Sequence, residues 1–151
     1  MTRWQRGRDE VESLIASGHL QRLTGAAAKG ERLLAKAGTT LETARLAIDR
    51  DPDSAFVLAY DAARQALTAL LAQQGLRPTT KGGHYSVEQA VRAQFGEGFR
   101  GFGALRRRRN ELEYPQWPVD DASIDEALDC VESARIIIEA AKDLIGELDL
   151  F

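Results

Sequence analysis

Apolar residues recur at three- and four-residue steps along most of this chain, the spacing that lines one face of an α-helix. Val11, Leu14 and Ile15 make such a face over a short first helix from about Arg8 to Ser17, with Gly18 placed to end it in a left-handed conformation. Leu33, Leu34, Ala37, Leu41, Ala44 and Ile48 do the same from about Ala27 to Asp49, where Gly38 weakens the helix without breaking it. Asp51-Pro52-Asp53 is a helix start, because aspartate accepts from the first free N–H groups and proline sits where its missing N–H would be unpaired. A third helix follows from Ser54 to about Gln74, with Leu58, Ala62, Ala66, Leu67, Leu70 and Leu71 on a wide apolar face. The joint before it is short, so the second and third helices are expected to form an antiparallel hairpin.

Gly75 to Gly83 read as a loop, the longest in the chain. Ser86 to Gln89 has the form of a capping box and opens a short fourth helix. A fifth begins after Gly98 and ends near Tyr114, since Pro115 pushes the residue before it out of the helical region. Pro115 and Pro118 stiffen the next linker. Asp120 or Asp121 then caps a last long helix carrying Ile124, Leu128, Val131, Ala134, Ile138, Ala141 and Ile145. No segment alternates with period two and no internal repeat is present. The expected fold class is all-α: an up-and-down bundle of four to five main helices with a short N-terminal helix, in a single domain over residues 1–151.

Apolar residues make up 44% of the chain and charged ones 28%, which suits a folded core without disulfides. The lone Cys130, between Ala127 and Ala134 at helical spacing, reads as a small core residue. No grouping of His, Cys and carboxylates has metal-ligand spacing, so neither a metal nor another cofactor is expected. No run approaches the roughly 20 apolar residues of a membrane helix. Met1-Thr2-Arg3-Trp4-Gln5-Arg6 is polar, unlike a signal peptide, so a cytoplasmic location without membrane contact is expected. The net charge of −3 excludes a global field that would draw the protein onto a polyanion, and any such contact must be local.

Arg106, Arg107, Arg108 and Arg109 mark the place to look, followed as they are by the acidic stretch of Glu111, Glu113, Asp120, Asp121, Asp125, Glu126 and Asp129. At roughly 100° per residue, Phe102, Leu105, Arg109 and Leu112 fall on one stripe, so Arg109 faces inward or into an interface. A guanidinium placed there needs a core carboxylate or a ligand phosphate. Asn110 and Tyr114 share a face with Arg107 and Glu111, so an amide, a phenol and a guanidinium can converge on a phosphodiester near the helix end. The competing reading makes the arginines a solvated, ion-paired surface, with Arg109 and Glu113 paired at i,i+4 and Tyr114 packed on the core.

Lys81-Gly82-Gly83-His84 precedes the expected start of the fourth helix, where flexible glycines can present N–H groups to an anion and His84 can supply proton chemistry. Alternatively the glycines serve the turn and His84 is a loop residue. The segment lacks the spacing and the Lys-Ser/Thr of a P-loop. His19, in a turn after Gly18, has no partner in its neighbourhood and reads as structural or solvated.

The segment Ala55-Phe56-Val57-Leu58-Ala59-Tyr60-Asp61-Ala62-Ala63-Arg64-Gln65-Ala66-Leu67, followed by Arg-Asn-Glu-Leu-Glu-Tyr-Pro at 109 to 115 on a helical-hairpin frame, resembles the HEPN superfamily of small prokaryotic helical domains. The likeness runs from about Val11 to Ile145. It implies a bundle that forms a homodimer in which motif segments of two subunits line a shared cleft. In active members a metal-independent endoribonuclease motif combines an Arg, a neighbouring polar residue and a His separated from the Arg by four to six residues. Arg109 and Asn110 match the first two. Tyr114 stands at the spacing of the His, and no histidine follows His84. A histidine titrating at about 6.5 exchanges protons at neutral pH, whereas a phenol, at about 10, is a poor base.

The resemblance further implies RNA as substrate and a role as the toxin of a toxin–antitoxin or defence system. The partner would be a minimal nucleotidyltransferase that adds adenylate to a tyrosine such as Tyr114. A catalytically silent module binding a nucleotidyltransferase, a nucleotide or RNA is the alternative. Catalytic roles fall on Arg109, Asn110 and Tyr114, and binding roles on Arg106, Arg107, Arg108, Lys81 and His84.

Overall fold

Six α-helices carry the fold of the computed structural model, which describes residues 4–99, 101–117 and 120–151, without the side chains of Ala26 and Glu97. Pro118 of the expected stiff linker and Met1-Thr2-Arg3 lie outside the described residues. The helices are α1 (Arg8–Ala16), α2 (Glu31–Ala47), α3 (Pro52–Gln73), α4 (Gly83–Phe95), α5 (Phe102–Glu113) and α6 (Ile124–Ile145). The all-α class holds, with one addition. Two three-residue strands, β1 (Leu20–Arg22) and β2 (Leu76–Pro78), pair antiparallel with Gln21 opposite Arg77. The second of them lies in the segment expected to be only loop.

At the centre is α3, buried on nearly every side: Ala55, Phe56, Ala59, Tyr60, Ala62, Ala63, Ala66, Leu67, Leu70 and Leu71 all lie in the core. The alanines let α2 and α6 pack closely on either side of it, and burial of its larger side chains supplies most of the driving force. Asp51 caps α3 as expected, its carboxylate accepting from Ser54 N–H at 3.1 Å with Pro52 in the first turn. Neighbouring Asp53 reaches across and accepts from Ala122 N–H, anchoring the segment before α6.

Several boundaries differ from expectation for identifiable reasons. Helix α2 starts at Glu31 rather than near Ala27, because Gly30 sits against the carbonyl of Ala69 so closely that a Cβ would collide with it. Gly30 N–H is held there by the Gln73 side chain at 2.9 Å. Helix α4 starts at Gly83, and Ser86 is not its cap but a buried residue whose hydroxyl donates to the Gly83 carbonyl. His84 and Tyr85 therefore belong to its first turn.

For α6 the cap is Ser123, accepting from Glu126 N–H at 3.0 Å, and not Asp120 or Asp121. Its buried stripe is Ala127, Cys130, Val131, Ala134, Ile137, Ile138 and Ala141, which leaves Ile124 and Leu128 exposed, against expectation. Burial pushes the Cys130 thiol up to about 12, as befits an inert core residue. Ser123→Ala should destabilise the protein by about 1 kcal/mol in thermal melts, whereas Asp121→Ala should leave the transition in place.

Beside this three-helix core, α1 packs on α4, and α4 and α5 close over one end of α3. The ribbon ties these layers together. Thr79 Oγ1 donates to the Gly18 carbonyl at 2.6 Å, Thr79 N–H to that of His19 at 3.0 Å, and Lys81 Nζ to that of Ser17 at 2.9 Å. Gly18, with φ of 79°, turns the chain out of α1 as expected.

Candidate functional site

The four consecutive arginines of α5 meet four different surroundings. Arg106 Nε donates to Glu88 of α4 at 2.7 Å, and its guanidinium lies 5.1 Å from the ring centre of Tyr85. Arg108 is a structural strut: Nε donates to Glu126 of α6 at 2.6 Å, Nη2 to the Asp120 carbonyl at 2.9 Å, and Nη1 to Glu111 at 3.2 Å. Those carboxylates raise its pKa further, chiefly through the Glu126 hydrogen bond. Arg107 is exposed and has no ion pair among the described residues.

Arg109 is the exceptional one. It is half-buried, its Nε is buried without a hydrogen-bond partner, and no carboxylate of the described residues lies within ion-pair distance, Glu113 included. Its one hydrogen bond among the described residues runs from Nη1 to the adjacent Asn110 Oδ1, at 3.4 Å. Its guanidinium instead lies 5.9 Å from the ring centre of Tyr60 and 5.9 Å from that of Tyr114.

Tyr60 organises the inner side of this site. Its ring stacks on Phe102 at 5.2 Å with 13° between planes, which fixes α5 over α3, and its hydroxyl lies 2.9 Å from His84 Nδ1. Burial raises the phenol well above its ordinary pKa, against the pull of Arg64 and Arg109, so it stays protonated. His84 is held below its usual value, first by burial, then by the positive charges of Arg64 and Arg109, with Asp61 pulling the other way. Arg64, one turn along α3 from Tyr60, has Asp61 at 3.6 Å and a buried Nε with no hydrogen bond. Helices α3, α4 and α5 thus bring Tyr60, Arg64, His84 and Arg109 together.

Of the residues singled out in the sequence, Arg109 and His84 meet in this cluster, each close to the Tyr60 ring. Asn110 and Tyr114 lie just outside it. Tyr114 caps the end of α5 and is 69% exposed rather than packed on the core, and with Arg107, Asn110, Pro115 and the 75% exposed Trp117 it lines an open groove. Lys81 is engaged with α1, away from α5. The N–H groups of Gly82 and Gly83 are bound by Thr79, so the turn uses them. His19 has a partner after all, Ser17 Oγ at 2.6 Å from its Nδ1.

Tyr60, Asp61 and Arg64 were not assigned a role from the sequence. A signal was there: they are among the few polar residues in the middle of a mostly apolar helix, and Tyr60 and Arg64 share a face at i,i+4.

The family model of the HEPN domain matches residues 31–144, from the start of α2 to the last turn of α6. The chain belongs to the HEPN family. No curated protein and no solved structure matches it. The matched region of this HEPN protein holds all of Tyr60, Arg64, His84, Arg109 and Tyr114, and leaves out α1 and β1. Among the described residues, no group of three or more His, Cys, Asp or Glu is placed to hold a metal ion, and no helix is long and apolar enough to cross a membrane.

Proposed function

We propose that this HEPN protein is a metal-independent endoribonuclease that works as a homodimer, with an RNA phosphodiester held at Arg109. The observation that carries this reading is the state of Arg109: a half-buried guanidinium without a carboxylate partner among the described residues, kept in place by two aromatic rings. A buried cation of that kind is costly unless an anion meets it in function, and a phosphate offers the geometry a guanidinium fork prefers. Arg64, whose one ion-pair contact among the described residues is the long one to Asp61, adds a second positive charge from α3. Arg109 would stabilise the charge that develops on the phosphoryl oxygens during attack by the adjacent ribose 2′-hydroxyl. The exposed aromatic rings of Tyr114 and Trp117, beside the exposed Arg107, suit stacking of single-stranded bases. Asn110 offers its amide at the same edge. A toxin role follows if such cleavage is unchecked in the cell.

One observation favours a second reading, a silent module for a nucleotidyltransferase partner or for RNA. The Tyr114 hydroxyl stands open at the end of α5, as an acceptor of adenylate must. The deciding experiment is incubation of the purified protein with a mixed RNA pool in EDTA. Cleavage to fragments with 2′,3′-cyclic phosphate ends, with DNA of the same sequence left intact, is the expected result. Intact RNA would leave the binding module as the function.

A further inference from the structure

Every active site that deprotonates a ribose hydroxyl without a metal needs a base, and Tyr114, the residue at the family's histidine spacing, is poorly suited to that task. The chain has two histidines, and His19 sits in the turn after α1, bound to Ser17. His84 is elsewhere in sequence but adjacent in space to the arginine site. Its ring lies 5.6 Å from the Tyr60 ring, whose centre is also 5.9 Å from the Arg109 guanidinium. Nδ1 is engaged by the Tyr60 hydroxyl at 2.9 Å, whereas Nε2 has no protein partner among the described residues. A phenol can accept as well as donate, so Tyr60 can take a hydrogen bond from Nδ1–H and leave the Nε2 lone pair available.

We infer that His84, delivered by the first turn of α4 and oriented by Tyr60, is the general base of this HEPN protein, in place of a histidine after Arg109. This rests on the nuclease reading above. Neutral Nε2 takes the proton of a ribose 2′-hydroxyl as O2′ bonds to the adjacent phosphorus. The P–O5′ bond breaks with its electron pair going to the 5′ oxygen, which takes a proton from water, and His84 then returns its proton to water. The products are a 2′,3′-cyclic phosphate and a 5′-hydroxyl. Arg109 and Arg64 face the phosphoryl oxygens, and Tyr60, which touches no reacting atom, is a positioning residue.

The groups around His84 set the pH response. Burial and the cations Arg64, Arg109 and Arg106 favour the neutral ring, and Asp61 alone opposes them. The acidic limb of the cleavage profile should therefore lie below the ordinary histidine range, with the base competent at neutral pH.

The test is single-turnover RNA cleavage in EDTA across pH by the wild-type protein, His84→Ala and Tyr60→Phe, with thermal melts of each. His84→Ala should lose about 10²-fold or more, lose the acidic limb and regain activity with added imidazole. Tyr60→Phe keeps the ring that stacks on Phe102 but removes the acceptor that steadies the imidazolium, so its acidic limb should move to lower pH. If the wild type cleaves and His84→Ala, still folded, cleaves equally with the same limb, His84 is not the base and the nuclease reading survives. If His84→Ala does not fold, an unmoved limb in Tyr60→Phe overturns the assignment instead. If the wild type leaves RNA intact, the nuclease reading fails first and this assignment with it.

Discussion

Arg109→Ala should lower RNA cleavage by about 10³-fold while leaving the melting temperature unchanged or slightly raised. The two halves of this expectation have one cause. Arg109 makes no ion pair among the described residues and its buried Nε is unsatisfied, so removing the side chain takes away a desolvated charge and few compensating interactions. On the proposed function, the same lack of an internal partner leaves the guanidinium available to a phosphate. Arg108→Ala should behave in the opposite way. That side chain ties α5 to Glu126 and to the Asp120 carbonyl, and its loss should cost about 1–3 kcal/mol, with cleavage per folded molecule little altered. Cleavage rates and thermal melts of the two variants side by side check both statements. A large loss of stability in Arg109→Ala would mean that this arginine belongs to the scaffold.

Gln94→Leu should produce the largest loss of stability of any single substitution considered. Gln74, at the end of α3, and Gln94, in the last turn of α4, are buried in the interior and exchange two amide hydrogen bonds, Gln74 Nε2 to Gln94 Oε1 at 2.6 Å and the reverse at 3.0 Å. Leucine at 94 fills much the same space but strands one donor and one acceptor of Gln74 away from water, at a cost of about 2–4 kcal/mol. For a chain of this size that lowers the melting temperature by on the order of 10 °C. In the double variant Gln74→Leu, Gln94→Leu, both polar groups are gone and most of the loss should be regained. Urea unfolding of the two single variants and the double variant measures the coupling. Additive losses would show that the amides do not act as a pair.

The helices were legible where the apolar stripe was long and the punctuation chemical. Asp51-Pro52 opens α3 and Tyr114 closes α5 just where capping and proline geometry require. The start of α4 was hidden because two glycines read as a breaker, whereas here packing of Gly82 on the His19 carbonyl and two N–H bonds donated to Thr79 hold them at the helix entrance. The ribbon was hidden because a pair of three-residue strands is too short to display period-two alternation. On α6 the periodicity admits neighbouring stripes, and contact with α3 selects the one through Cys130 rather than the one through Ile124 and Leu128.

The site was half legible. The position of Arg109 among Phe102, Leu105 and Leu112 pointed it inward, and the side chain is indeed partly enclosed. That Arg106 and Arg108 would be consumed by Glu88 and Glu126 depended on pairings between helices, which local spacing does not encode. The meeting of His84 with Tyr60 and Arg109 is of the same kind, a product of three helices crossing at one end of the bundle.

The small ribbon has a consequence for how the protein can be cut. Strand β1 and the carbonyls of Ser17, Gly18 and His19 all precede Glu31, where the family match begins, yet they hold Thr79 and Lys81 on the approach to α4. Trp4 likewise donates from its indole to the Gln94 carbonyl at the far end of that helix. A fragment trimmed to residues 31–144 would keep the side chains of the site and discard the brace that sets the pitch of the helix bearing His84. The portion by which the family is recognised is therefore smaller than the portion that keeps its own working parts aligned.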